Sequence, residues 1–138
     1  MTAPTMPAQA KENTPEGAAA FVDHYIQVLN YASKTGDVTE LSHLSDSSCS
    51  GCQKYIKLYR DTYAEGGSFS GGEWSPGEMK LDFGEPETYV TTTVAISESK
   101  YTDSHGVSSI EPASSARVSF GIAGDPWVVT QAGLGEPK

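Results

Sequence analysis

The chain has 138 residues, of which 37% are apolar and 9% aromatic, a length and composition typical of one globular domain. Nine basic and 18 acidic side chains give a formal net charge of −9, which repels phosphate backbones and argues against nucleic acid as a partner. No run approaches the roughly 18 consecutive apolar residues that a membrane helix needs. These properties predict a soluble, acidic domain.

The opening segment, 1–13, is rich in Pro, Ala and Thr and predicts a disordered tether, because it has too little apolar surface to offset the entropy of ordering. It has neither the basic nor the apolar region of a secretory signal. A single α+β domain is expected to follow over 14–138, with a helical half at 14–67 and a sheet half at 68–134.

Three helices are predicted in the first half. Thr14 offers an N-cap, Pro15 suits the first helical position, and Gly36 supplies the stop of a long first helix. Its buried stripe comprises Ala18, Phe21, Val22, Tyr25, Leu29 and Ala32. A short second helix is expected over 37–45. In the third, Ser47 or Ser48 is the expected cap, and the inward residues are Cys52, Ile56, Tyr59 and Tyr63 before Gly66 and Gly67 end it.

After Gly67 the apolar period changes from 3.6 to 2, which indicates strands with one buried face. An opening strand is expected over 69–74, with a bulge or sharp bend at Gly71 and Gly72. Three further regions alternate apolar and polar residues, namely 79–83, 90–96 and 117–122, and a last strand covers 127–132. Turns are predicted at 103–106 and 124–126.

Helices first and an antiparallel meander afterwards predict an α+β domain, with the N-terminal helices packed on one face of a single curved antiparallel sheet. The expected contact sets Phe21, Val22, Tyr25 and Leu29 of the first helix against Val94, Ile96, Phe120 and Val129. This order of elements resembles the cone of nuclear transport factor 2-like and SnoaL-like (cystatin-like) domains. In such cones the first helix lies in the concavity of a bent sheet.

Several segments also resemble a family of actinobacterial lipoproteins of unknown function. They are the run PAQAKENTPEGA at 7–18, motifs within 25–37, LSDSSCSGC at 44–52, and motifs within 63–72. The resemblance implies an exported protein on the cell surface, anchored to the membrane through a lipid on an N-terminal cysteine. This sequence contains neither that cysteine nor a signal. The only membrane contact expected is therefore an N-terminal lipid anchor that is absent from it.

Cys49 and Cys52 at the start of the third helix leave three interpretations open. A structural disulfide is favoured, since an exported chain with two cysteines has only one pairing. A thiol-disulfide redox pair would use the helix N-terminus to lower the Cys49 pKa, but the preceding strand is missing. Zinc is disfavoured because no second ligand pair stands at the required spacing. No cofactor, metal site or calcium loop is expected.

The three histidines are candidates for acid-base chemistry by residue type, but no catalytic residue is predicted. His24 is expected to form a solvated pair with Asp23, outside the stripe of the first helix. His43 and His105 are expected at the surface, and no Gly-x-Ser-x-Gly turn accompanies the serines. The acidic residues of the helical half are interpreted as a solvated face.

Five aromatic residues are candidates to line a ligand pocket, although tyrosines at helical spacing more often belong to the edge of the core. They are Tyr25, Tyr59, Tyr63, Trp74 and Trp127. The favoured function is a noncatalytic, extracytoplasmic, lipid-tethered binding or interaction module with an unknown protein or small-molecule partner. The alternatives are a small-molecule binder or enzyme that uses the cone, and a thiol-disulfide protein that uses Cys49 and Cys52.

Overall fold

The computed structural model describes residues 3–134, so the first two residues of the predicted tether and 135–138 of the predicted domain lie outside the described part. A 3-10 helix, Ala8–Lys11, precedes three α-helices: α1 (Pro15–Thr35), α2 (Thr39–His43) and α3 (Ser50–Ala64). Seven strands follow: β1 (Ser68–Gly71), β2 (Trp74–Asp82), β3 (Thr88–Ile96), β4 (Ser99–Thr102), β5 (Ser108–Glu111), β6 (Ser114–Ala123) and β7 (Val128–Leu134).

Helix α1 begins and ends where its local signals predict. The backbone N–H of Gly17 donates to Thr14 Oγ1 at 2.9 Å, and Pro15 occupies the first turn. Gly36 closes the helix in the left-handed region, with φ of 77°, which a residue without Cβ adopts at little cost. The buried surface is broader than the predicted stripe, because Ile26 and Val28 are also buried.

Helix α3 starts later than the predicted serine caps. Cys49 is its N-cap, and its Sγ accepts from the backbone N–H of Cys52 at 3.1 Å. Ser48 instead donates its backbone N–H to the side chain of Asp46 at 3.2 Å, within the preceding turn. The expectation of a Ser47 or Ser48 cap is wrong, because Ser48 is hydrogen-bonded to the Asp46 carboxylate in this turn and Cys49 caps the helix instead.

Strands β2, β3, β6 and β7 form one antiparallel sheet in that order, and β1, β4 and β5 form a second in the order β1-β4-β5. The α+β class is confirmed, but the expected single sheet is divided into two. Two residues separate β1 from β2, β3 from β4, and β5 from β6. Each strand of the second sheet is therefore followed or preceded directly by a strand of the first, and the two sheets meet along one common line.

The line between the sheets is a sharp bend rather than a separation. Gly71 and Gly72 both have φ of 67°, and a Cβ on Gly71 would lie 2.2 Å from the carbonyl oxygen of Glu98. Across the line, Gly72 N–H donates to Glu98 O and Ser97 N–H to Glu73 O, both at 3.1 Å. The predicted opening strand 69–74 therefore splits into β1 and the start of β2.

The core lies between α1 and the inner face of the strands. Helix α1 contacts β1, β2 and β3, while α3 packs on β7. The rings of Tyr25 and Phe120 meet edge to face at 5.6 Å between centroids. Of the predicted contact set, seven residues are buried and Ile96 is half-buried against the core. The outward residues Thr93 and Arg117 are exposed.

The end of the predicted tether packs on the domain, which differs from the expected disorder. Ala10 is buried, and the indole N–H of Trp127 donates to the carbonyl oxygen of Glu12 at 3.1 Å. Gly17 allows this approach, since a Cβ there would lie 2.0 Å from Glu12 O. Ala10 has a small side chain and Gly17 has none, so neither residue produces an apolar pattern that would predict this contact from the sequence. Met6 is also half-buried against the core, and a tether over the residues ahead of it stays a prediction.

Candidate functional site

Cys49 and Cys52 lie at bonding distance, with their sulfurs 2.12 Å and their Cα atoms 5.2 Å apart. Both residues are about 1% exposed, and Cys52 Sγ lies 3.9 Å from the carbonyl oxygen of Val129 on β7. The neighbouring Gly51 packs so closely on β7 that a Cβ would lie 2.0 Å from Ala132 O. A buried disulfide of this kind is shielded from attacking thiolates, which favours the structural interpretation over the redox one.

The structure brings together only two of the five aromatic residues predicted to line a pocket. Tyr25 and Trp74 border a cavity of about 20 Å³ between α1, α3 and the inner sheet face, with Tyr55 and Phe120 as further walls. That volume suffices for about one water molecule. The interior of the cone is therefore filled by side chains.

The other three aromatic residues have structural contacts elsewhere. Tyr59 packs its ring on Phe69 at 5.7 Å, and burial raises the pKa of its hydroxyl. The Tyr63 hydroxyl donates to Ser33 O at 2.7 Å and accepts from the backbone N–H of Phe69 at 3.1 Å. Trp127 bonds Glu12, as described above. Tyr59 and Tyr63 thus belong to one aromatic cluster around Phe69, which Tyr55 connects to Trp74, whereas Trp127 lies apart. None of the three lines the cavity beside Tyr25.

Tyr25 has a polar partner inside the core. Ser45 Oγ donates to Leu41 O at 2.7 Å, so its oxygen accepts the hydroxyl proton of Tyr25 at 2.8 Å. Burial raises the pKa of Tyr25 to about 12, against the smaller opposing effect of the Ser45 bond. A neutral, hydrogen-bonded phenol anchors α1 to the end of α2 and is poorly suited to proton transfer near neutral pH.

The expectation of a solvated His24 is wrong. His24 is 3% exposed, whereas its neighbour Asp23 is exposed as predicted. Burial lowers the pKa of His24, and the carboxylates of Glu40 and Asp23 oppose this effect. His24 was missed because it lies outside the apolar stripe of α1, on a side close enough to α2 for the Glu40 charge to act on it. The residue does not line the cavity, so its imidazole and Tyr25 form no acid-base pair there.

The other candidate polar groups are at the surface. His43 and His105 are exposed. Asp61 accepts from Lys57 at 2.6 Å, and that bond is the main cause lowering the pKa of Asp61. The Asp37 side chain accepts from the backbone N–H of Thr39 at 3.1 Å, where it stabilises the start of α2. Among residues 3–134, no group of three or more His, Cys, Asp or Glu side chains could hold a metal ion.

Larger concave surfaces lie outside the cone, and one of them is bordered by Tyr89. This polar groove, of about 290 Å³, is formed by β3, β6, β7 and the start of α3, and its lining includes Tyr89, Ser119, Gln131 and Ser50. Tyr89 is 40% exposed, although large aromatic side chains are usually mostly buried. The sequence signal was present, because Tyr89 takes an outward position between the buried Thr88 and Val90.

Glu87 organises one wall of the polar groove. It accepts hydrogen bonds from the Tyr89 hydroxyl at 3.1 Å, from Gln131 Nε2 at 3.4 Å and from the Thr130 hydroxyl. The bond to the Glu87 carboxylate, and then its charge, raise the pKa of Tyr89. Three side chains from two strands are thereby held in one arrangement at the surface.

Comparison with known families identifies the chain. A model for a family of unknown function, DUF6318, matches residues 2–121. The chain belongs to the DUF6318 family. No curated protein matches it significantly.

Solved structures similar to this DUF6318 chain share its fold at low sequence identity. The intermembrane space region of the chloroplast protein ARC6 has a TM-score of 0.60 and 11% identity, over 95% of this chain and 98% of that one. Aln2 from a Streptomyces species has a TM-score of 0.58 and 9% identity, covering 89% and 92%. An uncharacterized protein with a cystatin-like fold from Caulobacter vibrioides has a TM-score of 0.53 and 8% identity, covering 83% and 85%. These similarities confirm the cystatin-like fold.

Within residues 3–134, no helix is long and apolar enough to cross a membrane. The DUF6318 domain thus combines a filled cone, a buried disulfide and a polar groove on its outside.

Proposed function

We propose that this DUF6318 domain is a noncatalytic binding module held outside the cytoplasmic membrane by a lipidated N-terminal tether. Its partner, a protein or a small molecule, binds to the outer surface. The observation that carries the proposal is the filled cone, whose cavity of about 20 Å³ is far below the roughly 300–1,000 Å³ of ordinary ligand sites.

The proposed location draws on three lines of support. The residues of 7–74 resemble actinobacterial lipoproteins, and a buried Cys49–Cys52 disulfide suits an oxidising compartment. One structural neighbour is a region of a chloroplast protein that lies in the intermembrane space. Residues 8–12 pack on the domain, so a spacer ahead of this packed region would hold the domain at a distance from the lipid anchor.

The two alternative functions have less support. A binder or enzyme that uses the cone requires Tyr25, Tyr55 and Trp74 to move apart, because the present space accommodates about one water molecule. A thiol-disulfide protein requires an accessible sulfur, whereas Cys49 and Cys52 are both buried.

Fractionation of cells that produce the native protein tests the location. The protein should appear in the membrane fraction, and protease added to intact cells should degrade it while leaving a cytosolic marker protein untouched. Replacing by serine the cysteine that the proposal places upstream of the tether should release the domain from the membrane. Recovery in the cytosol, protected from protease, would overturn the proposal.

A further inference from the structure

We propose that the polar groove centred on Tyr89 binds a neutral saccharide. This inference rests on the proposed binding function and assigns its site and the chemical class of its ligand. Saccharides present flat apolar faces of C–H groups, edged by hydroxyls that both donate and accept hydrogen bonds. A complementary site offers an exposed aromatic ring beside side chains with both donors and acceptors.

The groove offers both kinds of group. Tyr89 supplies an aromatic ring that is 40% exposed, so a ligand can bury further apolar area on it. Gln131 and Ser119 supply an amide and a hydroxyl at exposed positions of β7 and β6. Ser50 adds a further hydroxyl from the start of α3. These groups together match the mixed donor and acceptor pattern of sugar hydroxyls.

The cluster around Glu87 holds the groove in a fixed arrangement. Its carboxylate accepts from Tyr89, Gln131 and Thr130, which limits the rotamers that these side chains can adopt before a ligand arrives. Side chains already held in place lose less conformational entropy on binding. Gly121 makes room for the cluster, since a Cβ there would lie 3.2 Å from both Glu87 Oε2 and Thr130 Oγ1.

The charge and size of the groove favour a neutral ligand of sugar dimensions. The described residues that line the groove have uncharged side chains, but the Glu87 carboxylate that holds three of them places a negative charge beside one wall, and the whole chain has a net charge of −9. A neutral ligand avoids the long-range repulsion that an anion would meet, and it leaves no charge unpaired in the groove. The volume of about 290 Å³ lies at the lower end of the range of about 300–1,000 Å³ for ligand pockets.

Amide NMR titration of the whole chain tests the inference, with the neutral tetrasaccharides cellotetraose, chitotetraose, maltotetraose, mannotetraose and arabinotetraose as probes. At least one probe should give saturable shifts at millimolar concentration, centred on the amides of Tyr89, Gly121 and Gln131. Tyr89→Ala should weaken that binding about tenfold, through loss of the aromatic face. The matched control is Tyr101→Ala, since Tyr101 is 38% exposed on β4 and does not line the groove.

Two results would overturn the saccharide site: no saturable shift from any of the five probes, or equal weakening by Tyr89→Ala and Tyr101→Ala in chains whose spectra remain folded. The same samples separate this inference from the proposed function. Binding followed by hydrolysis of the probe would support the site but overturn the noncatalytic function. If the protein is found outside the membrane but binds none of the probes, the proposed function stands and the saccharide site is rejected.

Discussion

The side chain of Asn30 forms two hydrogen bonds with the backbone of Trp74, donating Nδ2–H to its carbonyl oxygen at 3.0 Å and accepting its N–H at 2.9 Å. One amide on α1 thus pairs both backbone groups of the first residue of β2, much as a neighbouring strand would. The contact joins residues 44 positions apart in sequence and fixes the helix on the sheet just after the bend at Gly72.

We expect Asn30→Ala to lower the free energy of unfolding by about 2 kcal/mol, because two partly buried backbone groups lose their partner. Urea unfolding followed by circular dichroism measures the change. Asn30→Asp keeps an acceptor for the Trp74 N–H but sets a second carboxylate oxygen against the Trp74 carbonyl oxygen, so it should also lower the free energy of unfolding. Gln27→Ala, at an exposed position of the same helix, is the control and should be nearly silent. An Asn30→Ala chain as stable as the control would show that the pair contributes nothing.

Phe21 is completely buried in α1, and Asp23 lies two residues away on the exposed side. Phe21→Ala should reduce the free energy of unfolding by about 3–5 kcal/mol, since it leaves a cavity in the core. Asp23→Ala should change it little. Denaturant titration of both variants compares the two faces of one helix. Similar losses in the two variants would show that α1 is oriented differently from the arrangement described above.

The Cys49–Cys52 bond closes a very short loop, so the chain-entropy model gives it about 2 kcal/mol. The double variant Cys49→Ala, Cys52→Ala should therefore melt roughly 5–10 °C lower while keeping its circular dichroism spectrum. Mass spectrometry of the wild-type chain, denatured without reductant, should find no free thiol. Because both sulfurs are buried, the native chain should reduce insulin no faster than the double variant does. Rapid insulin reduction by the wild type would revive the redox interpretation.

The buried His24 predicts a pH dependence of stability. Burial lowers its pKa in the fold below the ordinary 6.5. At a pH between the two pKa values, His24 is therefore more protonated in the unfolded chain than in the folded one. The stability contributed by neutral His24 is full above that pH, and it declines as the pH falls from 6.5 to the lower pKa of the folded state. The carboxylates of Glu40 and Asp23 oppose the shift and reduce its size.

Urea unfolding at several pH values between 7.5 and 5 measures this decline. His24→Gln should flatten it, whereas His43→Gln, at an exposed position, should leave it unchanged. The lowered pKa values of Asp37, Asp46 and Asp61 affect stability at more acidic pH, below the chosen range. If the free energy of unfolding changes equally with pH in the wild type and in His24→Gln, His24 titrates in the fold as it does in the unfolded chain.

Local signals in the sequence were sufficient for the longer elements, whereas the short strands β4 and β5 and the 3-10 helix Ala8–Lys11 were not predicted. Thr14, Pro15 and Gly36 bound α1 because a cap, a fixed φ and a left-handed residue act within one helical turn. The alternation of apolar and polar residues places β3 and β6 correctly, since successive side chains of a strand point to opposite faces. From the order of these elements, the α+β class and the cone could be predicted.

Contacts between residues distant in sequence decided the rest. Ala10 is buried in the 3-10 helix that contacts α1, and His24 is buried in α1 near Glu40 of α2, so their burial depends on partners that no local pattern specifies. The same is true of the candidate site, where Glu87 meets Gln131 only because β6 lies between β3 and β7. The sequence by itself determined the long elements, namely the helices α1 and α3 and the strands β3 and β6, because those preferences arise within a few residues. Only the tertiary structure decided that the cone is filled and that the polar groove lies outside it, because packing depends on side chains brought together by the whole fold.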